Sequence, residues 1–150
     1  MIWTIVGAAV VIGGALVLIY VNYYNKIQTL SNRIEEAWAQ IDVQLQKRYD
    51  LLPNLVNTVK GYASHEKEIF EGIANARAGM VTGSRQARVE ADNMVSQMMG
   101  RLFAVAEAYP DLKAQENFKL LQEQLEGMEN KIAYARQFYN DTALDFHNVV

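Results

Sequence analysis

Apolar side chains follow two patterns along this chain, a continuous block at the start and helical stripes after it. The block covers 2–21 and reads IWTIVGAAVVIGGALVLIYV, with Thr4 as its only plainly polar side chain. No charged residue precedes Lys26. Because about 20 apolar residues in a helix span a hydrocarbon core of roughly 30 Å, the block predicts one transmembrane helix.

Aromatic residues flank the apolar block, with Trp3 at its start and Tyr20, Tyr23 and Tyr24 at its end. Amphipathic rings favour the two membrane interfaces, so we interpret these four residues as interface anchors. A cleaved signal peptide is the main alternative, but it needs a basic segment before the apolar stretch and a small-residue cleavage site after it. The chain lacks that basic segment, which favours a retained membrane anchor over 1–24.

Small residues recur inside the apolar block at helical spacings. Gly7 and Gly14 are seven residues apart, and Ala9 and Gly13 are four apart, so each pair shares a helix face. Neighbouring spans can approach closely along such faces, which makes these four residues candidates for self-association. Glycine and alanine are also common in transmembrane helices generally, so the pattern permits association without requiring it.

The orientation of the anchor follows from the basic residues beside it. Lys26 and Arg33 lie just after the apolar block, and neither Lys nor Arg lies before it. The positive-inside rule therefore predicts an N-terminus outside and a following domain in the cytoplasm. Two charges leave the opposite, periplasmic or extracellular, placement open as the alternative.

The remaining residues, 25–150, show the period of a helix and no sustained alternation of a strand. Apolar residues recur at steps of three and four, first through Ile27, Leu30, Ile34, Ala37 or Trp38, Ile41, Leu45, Tyr49, Leu52, Val56 and Val59. Later stripes comprise Ile69, Phe70, Ile73 and Ala76, then Ala91, Met94, Val95, Met98, Leu102, Val105 and Tyr109. We predict an all-α fold, with an N-terminal transmembrane helix followed by an elongated antiparallel helical bundle.

Prolines and glycines indicate where these helices bend or end. Pro53 removes one backbone donor, which predicts a kink or a break, and the absence of turn residues around it favours a kinked continuous helix. Gly79, Gly83 and Ser84 predict a loop, and Pro110 is well placed to begin the last helix. That helix has the heptad spacing of bundle or coiled-coil packing through Phe118, Leu121, Leu125, Met128, Ile132, Ala135, Tyr139, Thr142 and Phe146.

Composition and charge exclude several classes of chemistry. The net charge is −3 and the basic residues are interleaved with acids, so we expect no nucleic-acid partner. The chain has no cysteine for a disulfide, a thiolate metal site or a nucleophile. His65 begins a pattern similar to a zinc-protease helix, but Ile69 occupies the second ligand position. We therefore predict no metal, no cofactor and no catalytic residue.

Three segments carry a resemblance to a known family. They are AWAQIDVQLQKRYDLLPNLV over 37–56, TVKGYASHE over 58–66 and ARQFYND over 135–141. The first closely resembles the signature of the LemA family, and the other two extend the match. The resemblance implies an N-terminal anchor and an extended helical bundle in a bacterial membrane. LemA-like proteins generally continue past the last motif with a short further segment, which we expect this chain to lack. The family has no agreed biochemical activity, and one branch is associated with forming magnetosome membranes.

Polar residues of the first motif form a second candidate site, around the proline. They are Asp42, Arg48, Asp50, Pro53 and Asn54. Asp50 and Asn54 share a helix face, so one of them could bridge the backbone group that the proline leaves without a partner. The cluster is either a polar clamp that fixes the kink or a patch that binds a partner.

These features favour a non-enzymatic single-pass protein that self-associates into a scaffold organising or shaping the membrane. The alternative is a membrane-tethered adaptor that binds another membrane protein, such as a protease, a secretion factor or a signalling system. A membrane enzyme with a site between subunits is the least favoured. We expect the lipid bilayer and further copies of the chain as partners, in the bacterial cytoplasmic (inner) membrane.

Overall fold

The computed structural model describes the backbone of residues 1–150 and every side chain except those of Ile5, Ala9 and Thr82. The chain is about 90% helical, and the described backbone contains no strand. The helices are α1 (Ile2–Lys60), α2 (Lys67–Thr82), α3 (Arg85–Ala106), α4 (Pro110–Ala114) and α5 (Glu116–Val149). The all-α prediction is confirmed.

Helix α1 is 59 residues long and continues from the apolar block through Pro53 without a break. The prediction of a continuous helix at this proline is confirmed. Leu52 and Leu55 are both fully buried, and their packing on either side of Pro53 offsets the lost backbone hydrogen bond. Because α1 has no interruption near residue 24, the division into an anchor (1–24) and a bundle (25–150) stays a prediction.

The chain forms two compact units. Unit 1 contains Met1–Gln40 and Ala135–Val150, and unit 2 contains Ile41–Tyr134. In unit 1, the ring of Trp38 meets that of Tyr139 edge-on, with centroids 5.9 Å apart and an interplanar angle of 70°. Such an edge-to-face pair stabilises by about 0.5–1.5 kcal/mol beyond the area that it buries. The buried side chains of unit 1 are Leu30, Ala37, Ala135 and Thr142.

Unit 2 has a core to which all five helices contribute. Its buried apolar residues recur at steps of three and four on the longer helices, which places them on one face of each. In α1 they are Ile41, Leu45, Leu52, Leu55 and Val59; in α2, Ile69, Phe70, Ile73, Ala76 and Met80; in α3, Ala91, Val95, Met99, Leu102 and Ala106; in α4, Leu112; and in α5, Phe118, Leu125 and Ile132. The segment between α1 and α2 adds Ala63.

The buried face of α3 differs from the predicted one. Met94 is exposed and Met98 is half-buried, whereas Met99 is buried. The prediction that Met94 lies on the buried face is therefore wrong, and Met99, which the predicted stripe does not include, belongs to that face. Met98 is half-buried and its side chain lies against Gly72 of α2. The real stripe repeats as Asp92, Val95, Met99, Leu102 and Ala106, and it includes a carboxylate that a search for apolar residues passes over.

Two helix boundaries also differ from the prediction. Gly79 lies inside α2, and the connection to α3 consists of Gly83 and Ser84 alone. The Ser84 hydroxyl accepts a hydrogen bond from the backbone N–H of Ala87 (3.3 Å), so it caps α3. Pro110 begins the five-residue α4 and not the last helix, because Gln115 is extended and separates α4 from α5.

The short connection at Gly83 gives a first testable prediction. A Cβ atom there would lie 2.5 Å from the Gly79 carbonyl oxygen and 2.8 Å from the Ala87 Cβ. We expect Gly83→Ala to lower the free energy of unfolding by about 1–3 kcal/mol, since backbone must move to admit the methyl group. Chemical denaturation followed by circular dichroism would measure it.

Gly61→Ala is the matched control for this prediction. A Cβ at Gly61 would make only an ordinary 3.5 Å contact with the Thr58 carbonyl oxygen. Because the backbone there accepts a side chain, we expect no loss of stability from Gly61→Ala. Equal effects of the two substitutions would contradict the steric argument.

Candidate functional site: the apolar span and the polar contacts of the bundle

The first part of α1 is the candidate membrane span. Among the described residues it is the one helix segment that is long and apolar enough to cross a membrane, with a mean hydropathy of 2.5 over 18 residues. The folded chain buries none of this segment. A Cβ added at Gly7, Gly13 or Gly14 would meet nothing within 4 Å, and the Ala9 side chain lies outside the described residues. The three glycines are therefore open to contacts from outside the chain.

The predicted interface anchors are all exposed at the two ends of this span. Trp3 lies at the first end, and the Tyr20 and Tyr24 rings stack at the second, with centroids 6.4 Å apart. The Tyr23 hydroxyl donates a hydrogen bond to the Val149 carbonyl. Within unit 1, the last turn of α5 thus lies beside the second end of the span.

Arg48 is the most deeply placed charged residue of the predicted polar cluster. It is 1% exposed, and its guanidinium joins three helices of unit 2. Nη1 lies 2.7 Å from Asp92 Oδ1 on α3, and Nη2 lies 2.8 Å from Glu129 Oε2 on α5. Nη2 also lies 3.4 Å from the Met99 sulfur. Charge-assisted bonds of this kind fix both distance and direction, so the network sets how the three helices meet.

The two carboxylates of this network have different environments. The Asp92 side chain is 2% exposed, whereas that of Glu129 is 50% exposed. The Ser96 hydroxyl lies 3.3 Å from a Glu129 carboxylate oxygen at the surface. Removal of charges from water is costly unless they are paired, so Arg48 and Asp92 depend on each other. Glu129 keeps one side in solvent and can make further contacts.

Asp42 belongs to a second, separate ion pair. Its carboxylate bonds the guanidinium of Arg88 on α3, and Arg88 Nε donates to the Gly83 carbonyl oxygen (3.3 Å). Both side chains of the pair are partly exposed, 41% for Asp42 and 28% for Arg88. Pairs at such positions contribute about 0–1 kcal/mol, because solvent screens them.

The other predicted cluster residues lie at the surface of α1. Asp50 accepts a hydrogen bond from Gln46 Nε2 (3.0 Å), one turn earlier. The Asn54 side chain is exposed, and its backbone carbonyl accepts a hydrogen bond from the Thr58 hydroxyl (2.9 Å). Pro53 is half-buried. The structure therefore places the five predicted residues in a buried network, a partly exposed ion pair and an open surface.

Two shallow grooves follow α5 in unit 2. The α1–α5 groove is lined by residues that include Lys47, Asp50, Leu51, Gly127, Met128 and Lys131. The α3–α5 groove is lined by residues that include Ser96, Gly100, Phe103, Leu125, Glu126 and Glu129. Each groove combines an apolar floor with charged edges and one glycine, which is the chemistry of a surface that binds another helix.

No group of three or more His, Asp or Glu side chains is placed to hold a metal ion in the part of the chain that the structure describes. His65 and His147 are both exposed. The expected absence of a metal, a cofactor and a catalytic residue stays a prediction.

Comparison with known proteins decides the family. A sequence model described as the LemA family matches residues 37–150. The chain belongs to the LemA family. The match covers the whole segment that carries the Arg48 network and both grooves.

Two relatives of this LemA-family chain are informative. "Magnetosome protein MamQ 2" of Paramagnetospirillum magneticum is 26% identical over 151 residues, which cover 83% of this chain and 56% of that protein. "Protein LemA" of Metamycoplasma hominis is 24% identical over 139 residues, which cover 91% of this chain and 64% of that protein. The chain thus spans about 56 to 64% of the length of these curated relatives.

Sequence reasoning missed Asp92 and Glu129, the two partners of Arg48. The signal was present, because Arg48 lies three residues after Leu45 and four before Leu52, on the buried face of α1. A basic residue on an otherwise apolar stripe requires an acidic partner on a facing stripe. Asp92 occupies such a position on α3.

Proposed function

We propose that this LemA-family protein is a non-enzymatic, single-pass membrane protein that self-associates into a scaffold organising or shaping the membrane. The observation that carries the proposal is the apolar start of α1, which the folded chain leaves uncovered and which continues without a break into the bundle. Such a helix holds a bundle at the membrane surface, and its open glycines offer a face to a second span.

The similarity to MamQ adds a second line of support. That relative is named a magnetosome protein, and the resemblance to the LemA family implies that one branch is associated with forming magnetosome membranes. A role in organising membrane is the common feature that we carry over to this chain. Lys26 and Arg33, just after the span, favour a bundle on the cytoplasmic side of the bacterial inner membrane.

The mass of the 150-residue chain in nanodiscs or native membrane discs tests the scaffold. We expect a discrete assembly whose protein mass is a whole multiple, two or greater, of 17.0 kDa. Gly7→Leu with Gly14→Leu should lower the assembled fraction, because the bulkier side chains keep spans apart. The matched control is Val10→Leu with Val17→Leu, which changes the same span without filling a small face. A single copy at every membrane density would refute the scaffold.

The adaptor is the second candidate function, and Asp50 and Asn54 favour it. Both side chains are exposed on α1, and Asp50 lines the α1–α5 groove, where another membrane protein could contact them. An adaptor predicts one stoichiometric partner that co-purifies with the full chain. Asp50→Ala with Asn54→Ala should remove that partner and leave the fold intact, because neither side chain is buried.

A further inference from the structure

We propose that copies of this protein associate side by side in one membrane, with the α1–α5 groove of one copy against the α3–α5 groove of the next. The occupant of each groove is a second copy of this chain. The inference rests on the self-association proposed above and names the surfaces that would carry it. Four observations support it, and all concern residues of unit 2.

The two grooves each contain a glycine that the single chain does not use. Gly100 lies within α3 and Gly127 within α5, and both are exposed. A Cβ added at either would meet nothing within 4 Å. A glycine in the interior of an exposed helix destabilises that helix relative to alanine, so intrachain packing gives no reason for either. Close approach of a helix from a second copy does give a reason, since side-chain size sets the distance between packed helices.

The charges at the edges of the two grooves are complementary. Lys47 and Lys131 line the α1–α5 groove, and within the described residues neither ammonium has an ion-pair partner. Glu126 and Glu129 line the α3–α5 groove. Glu126 accepts a hydrogen bond from the neutral Gln122 amide (3.0 Å) and has no cationic partner among the described residues. Glu129 pairs with Arg48 and remains 50% exposed. The lysines of the α1–α5 groove can therefore pair with the glutamates of the α3–α5 groove, where Arg48 is already bonded within the chain.

The α1–α5 groove also contains acidic residues, and their positions do not oppose this match. Asp50 accepts a hydrogen bond from Gln46. Glu123 lies eight residues before Lys131 on α5, about two turns away. Asp50 shares a helix face with Lys47 three residues earlier, so Lys131 is the cation of this groove on which the match depends.

The complementary residues lie at one level along the bundle. Arg48 and Ser96 both bond Glu129, at 2.8 Å and 3.3 Å, so these positions on α1, α3 and α5 are level with one another. Gly100 is four residues beyond Ser96, and Gly127 is two residues before Glu129 on an antiparallel helix. At 1.5 Å per residue the two glycines differ in level by only about 3 Å.

Rotational symmetry makes this common level important. Copies related by a rotation about an axis parallel to the helices of unit 2 have the same residue at the same level. Lys131 of one copy then differs in level by about 3 Å from Glu129 and by about 7.5 Å from Glu126 of the next, distances that these long side chains can bridge. Lys131 and Glu126 are five residues apart on α5, so they lie on different flanks of that helix. An interface between two different surfaces is heterologous, and rotations that close produce a ring.

Disulfide trapping tests the proposed contact, because the chain has no cysteine of its own. Full-length Gly100→Cys and Gly127→Cys proteins, with different affinity tags, would be co-expressed and oxidised in the membrane. We expect a crosslinked dimer that carries both tags, and no crosslink from either variant alone. Arg101→Cys with Gly127→Cys is the matched control; residue 101 is next to Gly100 but points about 100° away around α3, so we expect no crosslink.

A charge exchange tests the same contact by mass. Lys131→Glu and Glu126→Lys should each lower the assembled fraction several-fold at fixed membrane density. Both substitutions in one chain should restore it, because each interface then pairs the new glutamate with the new lysine.

The outcomes separate this inference from the proposed function. An assembled protein without the mixed crosslink, or without rescue by the double substitution, would overturn the interface and leave the scaffold standing. A crosslink formed by Gly100→Cys or Gly127→Cys alone would show a contact between identical surfaces and would also overturn it. A monomer at every density would overturn both proposals. The mixed crosslink together with charge rescue would establish the interface.

Discussion

We expect Arg48→Leu to lower the free energy of unfolding of the full chain by about 3–5 kcal/mol, among the largest effects of any single substitution. The guanidinium of Arg48 is 2.7 Å from the Asp92 carboxylate, and the Asp92 side chain is 2% exposed. Removal of the Arg48 guanidinium leaves the Asp92 carboxylate inside the bundle without its main cation. The penalty is that of a buried carboxylate that has lost the cation 2.7 Å away, and the apolar replacement cannot offset it.

Chemical denaturation of the full chain in one detergent, followed by circular dichroism, measures this effect. Lys47→Leu is the matched control, since the neighbouring Lys47 is exposed and its substitution should change stability by no more than about 0.5 kcal/mol. Arg48→Leu with Asp92→Leu should recover part of the loss, because no buried charge then lacks a partner. A loss below about 1 kcal/mol for Arg48→Leu would show that solvent reaches Asp92 and would refute the argument.

The second large effect concerns the span. We expect Val11→Arg with Ile12→Arg to move the chain out of the membrane fraction. Each arginine near the centre of a transmembrane helix costs about 2.5–3.5 kcal/mol of insertion free energy, so the pair costs about 5–7 kcal/mol. Val11 and Ile12 lie in the middle of an apolar segment that the folded chain does not cover, so no protein group is present to pair the new charges.

Extraction of membranes with alkaline carbonate measures the distribution between membrane and soluble fractions. Val11→Leu with Ile12→Leu is the matched control, and it should keep the chain in the membrane fraction. If the arginine variant also stayed there, the first part of α1 would not be the element that holds the protein in the bilayer.

The helical pattern predicted the fold because apolar stripes repeat with the period of a helix. Ile41, Leu45 and Leu52 are buried as the pattern predicts. Between them the stripe continues through Arg48, which a hydrophobic pattern cannot assign to a core. Burial of that residue depends on Asp92, 44 residues further along the chain, and no local signal connects the two.

The buried face of α3 shows the same limit. Met94 and Met98 together with Ala91, Val95 and Leu102 make an apolar stripe of regular spacing, so the sequence favours that face. The structure rotates the helix so that Asp92 and Met99 point inward, where they meet Arg48. An ion pair between helices therefore decides the rotation of α3, and the count of apolar residues does not. The α3–α5 groove depends on that rotation and could not be predicted from the sequence.

The contact between Tyr23 and Val149 has a practical consequence for any reporter added after residue 150. Because the last turn of α5 lies beside the aromatic end of the span, whatever follows Val150 starts in the lipid headgroup layer if that span crosses the bilayer. A fluorescent protein joined there without a spacer would press against the bilayer and strain the Tyr23 contact. A flexible spacer would keep the fluorescent protein away from the lipid headgroups. A small fluorophore attached directly at this position should instead report on the polarity of the headgroup layer.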